Sequence, residues 1–262
     1  ALQGAMARKA GRPAEWAPRS PPAPAAPAPR TRTVGAGEAA VELPFRQRDD
    51  PVATVLDQTI AKVAAQVLWA GDTVVQLGAG AGQAALGLAR RVGQHGRLVA
   101  FEPRRELHQR LCANLAAAGI QHADTHPVMP EGEGSALRDI HRLYASDEHQ
   151  PLQLANSTVP EPVVCWPLDA LNLVACRLLV VCLPLPLLSV LQGARATLER
   201  LRPVVLAGVL PLRTSAAFEA FFAGLGYRVR FVELGDASRP DRAALFGILV
   251  AEPKLGTSER LP

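Results

Sequence analysis

The stretch VVQLGAGAGQAALGLAR, residues 74–90, constrains this chain more than any other. An apolar run stops at three glycines spaced two apart, Gly78, Gly80 and Gly82, and a helix-like pattern follows at once. A short, continuously apolar strand of this kind is buried on both faces, which is the mark of a parallel sheet covered by helices. Glycines at its carboxyl end let the backbone turn tightly and leave room for a close approach.

The rest of the chain repeats the alternation. DDPVATVLDQTIAKVAAQVLWAGD reads as a helix with Asp50 as its cap and Pro51 at the first position; Val52, Leu56, Ile60, Val63 and Val67 form one apolar face and Gly71 ends it. Strand 73–77 precedes a helix at about 81–92, GRLVAFEP is a second strand, and 104–118 is a helix with Leu107, Leu111 and Leu115 on one face. A third strand is expected near 122–128, then an irregular insertion over 130–160, and a further strand at EPVVCWPL. Strand 177–183, helix 187–201, strand 203–209 and helix 214–225 follow. YRVRFVEL and ALFGILVAEP, separated by a polar loop at 235–242, close the chain as an antiparallel hairpin. The expected fold is α/β: a doubly wound, mostly parallel, seven-stranded sheet with a terminal antiparallel hairpin.

Residues 1–45 differ in kind. RPAEWAPRSPPAPAAPAPRTRT is rich in Pro, Ala and Arg with few large apolar residues, so it cannot bury enough surface to offset the entropy of ordering. It is expected to be a disordered tail, its proline density arguing against a targeting helix. The domain then occupies 46–262. Residues 1–37 carry six Lys and Arg against the single acid Glu15, so most of the net charge of +4 belongs to the tail. The remainder is near neutral, which is not the footprint of a dedicated nucleic-acid binder. RLLVVCLPLPLLSVL (177–191) is apolar but too short, and too rich in proline, to span a bilayer. Cys112, Cys165, Cys176 and Cys182 form no CxxC pair and lie in apolar contexts, as free thiols in a reducing, cytoplasmic compartment would.

Glu102 lies 24 residues beyond Gly78, at the end of the second strand. A carboxylate there can accept both hydroxyls of a ribose, or it can cap the helix that follows Pro103. Gln83 stands where a dinucleotide fingerprint places its third glycine, so G-x-G-x-G fits S-adenosylmethionine better than a dinucleotide.

GDTVVQLGAGAGQAALGLARRVGQHGRLVAFEPRRELHQRLCANL (71–115) resembles the FkbM-type methyltransferases, which read GDxVxDVGANxG, GxVxAFEP and a helix carrying LxxN, here Leu111 and Asn114. PLDAL (167–171), VLQGARATLERLRPVVL (190–206) and GYRV (226–229) resemble the family's second block. The resemblance covers about 45–252. It implies a class I, Rossmann-like methyltransferase fold, S-adenosylmethionine as cofactor, and methyl transfer to oxygen on a small-molecule or glycan-type acceptor. It also implies that Gln76, Gly78, Ala79, Gly80, Gly82, Glu102 and Pro103 line the cofactor. Neither a nucleic-acid nor a membrane partner is expected.

The chain departs from the family pattern in one region. Gln76 replaces an acid and Gly80 an Asn, and the KxDxEGxE motif falls on Val180, Cys182, Pro184 and Leu187. The acid after RP is also missing, with Gly208 or a neighbour in its place. No group that could position an acceptor hydroxyl survives in that motif, so no catalytic residue is assigned. A catalytically silent methyltransferase-fold binding or scaffold module is therefore the alternative. By register, position 182 falls at the carboxyl end of the fourth parallel strand and faces the cleft; Cys182 itself reads as a packed thiol rather than a nucleophile. His122 and His126 are four apart but not on a helix, so no metal site is expected. Trp69 and Trp166 read as core aromatics at the sheet edges.

Overall fold

The computed structural model describes residues 32–34, 41–43, 51–132, 136–139, 162–182, 187–209, 215–233 and 247–254. Within the stretch read as a tail, β1 (Arg32–Val34) pairs antiparallel with β2 (Val41–Leu43). The rest of that stretch, Asp50, Pro184 and the loop at 235–242 lie outside the described residues.

The domain opens with α1 (Pro51–Val67), which buries Leu56, Ile60, Ala64 and, just past its end, Leu68. Arg91 closes its carboxyl end, donating from Nε to the Leu68 carbonyl at 2.9 Å and from Nη2 to that of Ala65 at 2.9 Å. Then come β3 (Thr73–Leu77), α2 (Gln83–Val92), β4 (Arg97–Phe101), α3 (Arg105–Ala117) and β5 (Ala123–His126). After β6 (Met129–Pro130), β7 (Ala136–Asp139) and β8 (Pro162–Trp166) the chain returns to the main sheet. It continues through β9 (Leu178–Val181), α4 (Leu187–Gln192), α5 (Arg195–Leu201), β10 (Val204–Val209), α6 (Ser215–Gly224), β11 (Tyr227–Glu233) and β12 (Gly247–Pro253).

Seven strands form the main sheet in the order β11-β12-β10-β9-β3-β4-β5. The five from β10 to β5 are parallel; β12 runs antiparallel to both β10 and β11. This is the doubly wound sheet with a closing hairpin that the alternation predicts. The winding reverses between β3 and β9, and the crevice beyond the carboxyl ends of that pair is where open α/β sheets receive ligands.

Side chains alternate between two cores. Val74, Gln76, Leu98, Ala100, Leu178, Val180, Cys182 and Leu206 point to the face covered by α1, α2 and α3. Val75, Leu77, Val99, Phe101, Leu179, Val181, Val205 and Ala207 point to the other, which also buries Leu187, Val190, Leu198, Phe218 and Phe222 of α4, α5 and α6. Among the described residues, no helix is long and apolar enough to cross a membrane.

Three expectations need correction. The stretch 130–160 is not irregular throughout: β7 lies inside it and pairs with β8, the strand expected at EPVVCWPL, which is the centre of a separate three-stranded sheet, β6-β8-β7. The helix expected over 187–201 breaks at Gly193. A Cβ at Gly193 would meet the Gly132 carbonyl oxygen at 2.5 Å, so the backbones of the two segments touch there. Trp69 is 68% exposed in the turn after α1 and Trp166 41% exposed on the outward face of β8. A period-2 strand in a small sheet with one covered face puts alternate side chains in water, whatever their size.

Candidate ligand site at the carboxyl ends of β3 and β4

The glycine turn folds back on the neighbouring strand. Gly78 and Ala79 both donate to the Phe101 carbonyl, at 2.9 and 2.8 Å, and Gly82 donates to Ala79 O at 3.0 Å. Gly78, Gly80 and Gly82 all have positive φ, at 79°, 58° and 98°, a region that side-chain-bearing residues rarely enter. Gly82 is needed for a second reason: a Cβ there would sit 2.8 Å from Leu111 Cδ1, so α3 could not pack against the turn. From the same helix Asn114, fully buried, donates from Nδ2 to the Ala81 carbonyl at 2.7 Å. Leu111 and Asn114, the LxxN pair, thus hold the turn in place.

Glu102 is 0% exposed and joins the turn to the start of α3. Its Oε2 accepts the Gly80 N–H at 2.7 Å. Its Oε1 accepts the Arg104 backbone N–H at 3.1 Å and Arg104 Nε at 2.7 Å, while Arg104 Nη2 reaches Oε2 at 3.2 Å. Glu102 is therefore more than a local cap. It anchors a glycine of the turn across 22 residues of sequence.

Because Gly78, Ala79, Gly80 and Gly82 bond protein acceptors, donors for a ligand fall to the open first turn of α2. What the turn offers is close approach of backbone, with Glu102 behind it and the buried Pro103 beside it.

One step along the crevice, at the β3–β9 junction, Gln76 is 1% exposed; its Nε2 donates to Cys182 Sγ at 3.5 Å and its Oε1 has no hydrogen-bond partner. Position 182 does fall at the carboxyl end of β9, its N–H bonding the Leu77 carbonyl at 2.8 Å. The expectation that it faces the cleft is corrected: Cys182 is 8% exposed, turned under α1 with Val180. Burial pushes the thiol up to about 12, the Gln76 bond opposing and the Asp57 and Glu102 carboxylates adding to the rise. At neutral pH it is neither nucleophile nor base.

Val180 and Leu187 are buried and apolar, and Gly208 is buried in the β10–β12 ladder opposite Ile248. His122 and His126 part company: His122 Nε2 lies 2.9 Å from the Ala89 carbonyl, and His126 stacks on Phe101 with ring centroids 4.9 Å apart. All four cysteines are free, Cys112 partly buried and the others buried.

Several residues with a clear place in this region carried no sequence signal. Arg104 is one and Asp57 another. Burial raises the Asp57 carboxyl from 3.8 to about 6, yet in the sequence it is one more polar residue on an amphipathic helix. Asp169, inside PLDAL, caps α5 across 27 and 28 residues by accepting Ala196 N–H at 2.8 Å and Thr197 N–H at 2.7 Å. Glu131, buried where β6 ends, accepts from Ser189 Oγ at 3.2 Å.

No protein-family model matches the chain, and no curated protein matches it. Solved structures do. An rRNA methylase from Streptococcus thermophilus superposes with a TM-score of 0.50 at 12% identity, over 80% of this chain and 100% of that one. A SAM-dependent O-methyltransferase from Thermotoga maritima gives 0.48 at 17% identity, over 82% and 69%. A methyltransferase FkbM from Methylobacillus flagellatus gives 0.49 at 14% identity, over 77% and 61%. The first is a likeness of fold alone, and it agrees with the Rossmann-like, class I methyltransferase architecture of the seven-stranded sheet.

Proposed function

We propose that the chain is an S-adenosylmethionine-dependent methyltransferase of FkbM type, transferring methyl to oxygen on a small-molecule or glycan-type acceptor. The observation that carries this reading is Glu102, buried at the end of β4 and bonded directly to the glycine turn that ends β3. A carboxylate so placed can receive a ribose diol where the Arg104 guanidinium gives way, while the turn admits the rest of the nucleoside. The residues fit such a ligand: Gly78, Ala79, Gly80 and Gly82 shape the turn, Glu102 and Pro103 flank it, and the partnerless Oε1 of buried Gln76 awaits a donor. When bound, the cofactor supplies a methyl group on a sulfonium. The chain's part is to hold that group at the β3–β9 crevice and keep water from it. Four free cysteines suit a reducing, cytoplasmic setting.

A second reading, a binding module without turnover, is favoured by one observation. Val180, Cys182 and Leu187 offer no group able to take a proton from an acceptor hydroxyl. Calorimetric titration with S-adenosylmethionine, followed by methyl-transfer assays on hydroxylated small molecules, glycans and RNA, separates the readings. RNA is included because the solved rRNA methylase shares the fold. Binding with transfer to a hydroxylated acceptor supports the first, binding without transfer the second, and no binding overturns both.

A further inference from the structure

The end of the sheet opposite the crevice carries the two most exposed large hydrophobic residues among those described, Val174 at 86% and Trp69 at 68%. Trp69 follows α1 and leads into β3, and Val174 precedes β9. These strands are parallel neighbours, Val74 level with Leu178, so both residues stand where the two strands begin. Ala70, Gly71 and Ala175 beside them are exposed as well. A single exposed hydrophobic residue needs no explanation, but two at adjacent strand starts mark a surface.

Three arginines frame the pair. Arg91 bonds the Leu68 and Ala65 carbonyls, and Arg177 donates from Nε to the Val67 carbonyl at 3.3 Å, so both sit against the turn that carries Trp69. Arg200 donates from Nη2 to the Leu173 carbonyl at 2.6 Å, next to Val174. These partners are neutral. Among the described residues none of the three arginines pairs with an acid. Each guanidinium has five N–H donors, so each keeps some to spare. Two acids lie near. Asp72 accepts the Trp69 N–H at 2.8 Å, and Glu199 is paired with Arg195. The surface is left positive.

An apolar pair in a positive frame matches a surface that is anionic outside and apolar beneath, which is an anionic lipid bilayer. Tryptophan settles at the level of the headgroups, arginine bonds phosphate oxygens, and an aliphatic side chain enters the acyl boundary. A nucleic acid would satisfy the arginines and can stack on Trp69, but it leaves Val174 without an apolar partner. A second copy meeting this face would set three arginines against three. We propose that this end of the domain docks on anionic lipid, with Trp69 and Val174 in the interface and Arg91, Arg177 and Arg200 on the headgroup phosphates. The attachment is peripheral and needs no spanning helix, and none is found among the described residues. The five residues of β3 separate this face from the glycine turn by ~17 Å, so docking leaves the crevice open to solvent. The proposal stands apart from the cofactor reading.

The test is flotation of the full chain with vesicles of phosphatidylcholine, made with and without phosphatidylserine. The parent should bind only the vesicles that contain phosphatidylserine, and less as salt rises. Trp69→Ser combined with Val174→Ser alters two solvent-facing positions; it should keep the melting temperature and weaken binding roughly tenfold or more. Arg177→Gln combined with Arg200→Gln should weaken binding by about thirtyfold. Should the arginine variant lose its fold, the serine variant decides. No binding by the parent would overturn the proposal. Parent-like binding by the serine variant would overturn it too, by assigning the attraction to charge elsewhere on the chain. A parent that ignores vesicles but binds single-stranded RNA, in a way that Trp69→Ser abolishes, would overturn it in favour of a nucleic acid.

Discussion

Arg104 holds Glu102 in a two-pronged grip, Nε to Oε1 at 2.7 Å and Nη2 to Oε2 at 3.2 Å. With the Arg104 and Gly80 backbone N–H groups, that makes four bonds to a carboxylate that has about four acceptor positions. A ribose diol can bond Glu102 only where the guanidinium gives way. The Arg104 side chain is 13% exposed and Glu102 fully buried, so the pair is largely shielded from solvent. Removing one partner of such a pair strands the other, at a cost of about 3–5 kcal/mol.

Arg104→Ala should therefore lower the melting temperature yet bind S-adenosylmethionine more tightly, by a factor of about 5. Differential scanning calorimetry with and without ligand checks both, since the ligand-induced rise should exceed that of the parent. Weaker binding would show that the guanidinium touches the ligand instead of competing with it.

Glu102→Ala removes the acceptor altogether. Binding should weaken by about 1–3 kcal/mol, the worth of a charge-assisted hydrogen bond. The variant also leaves the Gly80 N–H without its partner, so the turn should loosen. Titration calorimetry reads the first effect and amide exchange at Gly80 the second; unchanged affinity would reduce Glu102 to a clamp on the turn.

Asp57 makes stability depend on pH. Its folded pKa, about 6, lies above its unfolded value of 3.8, so the native state holds the proton more tightly. Its contribution is most favourable below pH ~4 and is lost as pH rises through 6, a swing of about 3 kcal/mol. Asp57→Asn should remove that slope and raise stability at neutral pH. Urea titrations across pH 4–7 test this; a parallel pH profile for parent and variant would mean the carboxyl is hydrated.

The main sheet was legible because burial on both faces writes continuous apolar runs, and the glycines after β3 and the hairpin at the end write themselves as turn residues. Glu102 was legible for the same reason, since it follows an apolar strand at the distance one βαβ unit requires. The small sheet was not, because β8 packs on one face only and carries Val164 and Trp166 into solvent. The break at Gly193 was also hidden: it follows from a backbone contact with Gly132, 61 residues earlier, that no local pattern encodes. Arg104 looks like an ordinary helix-flanking charge, and Asp57 like an ordinary charge on a helix surface, until the fold brings Glu102 and Cys182 to them.

Asp169 gives that break its second cause. By bonding the Ala196 and Thr197 N–H groups it starts a new helix where the old one stops. Asp169→Ala should cost about 1–2 kcal/mol, and Asp169→Asn less, because an amide oxygen still accepts. Chemical denaturation compares the two. Equal losses would point to charge at the helix terminus rather than to the cap itself.

Cys182 decides whether the acidic motif of the resembled family could be restored here. Its register is that of a cleft residue, but the side chain lies under α1, in an environment that already pushes a thiol up to about 12. A carboxylate in the same place would meet the same burial and the same two neighbouring acids, Asp57 and Glu102. Its folded pKa would rise well above the unfolded ~3.9, so stability would be full below that value and fall as pH climbs. Cys182→Asp should thus be destabilised by several kcal/mol at neutral pH and recover on acidification, whereas Cys182→Ser, carrying no charge, should lose less and show no such recovery. Melting curves of both variants at pH 7 and pH 5 make the comparison. A Cys182→Asp protein as stable as Cys182→Ser at pH 7 would mean that α1 moves aside and opens position 182 to the crevice.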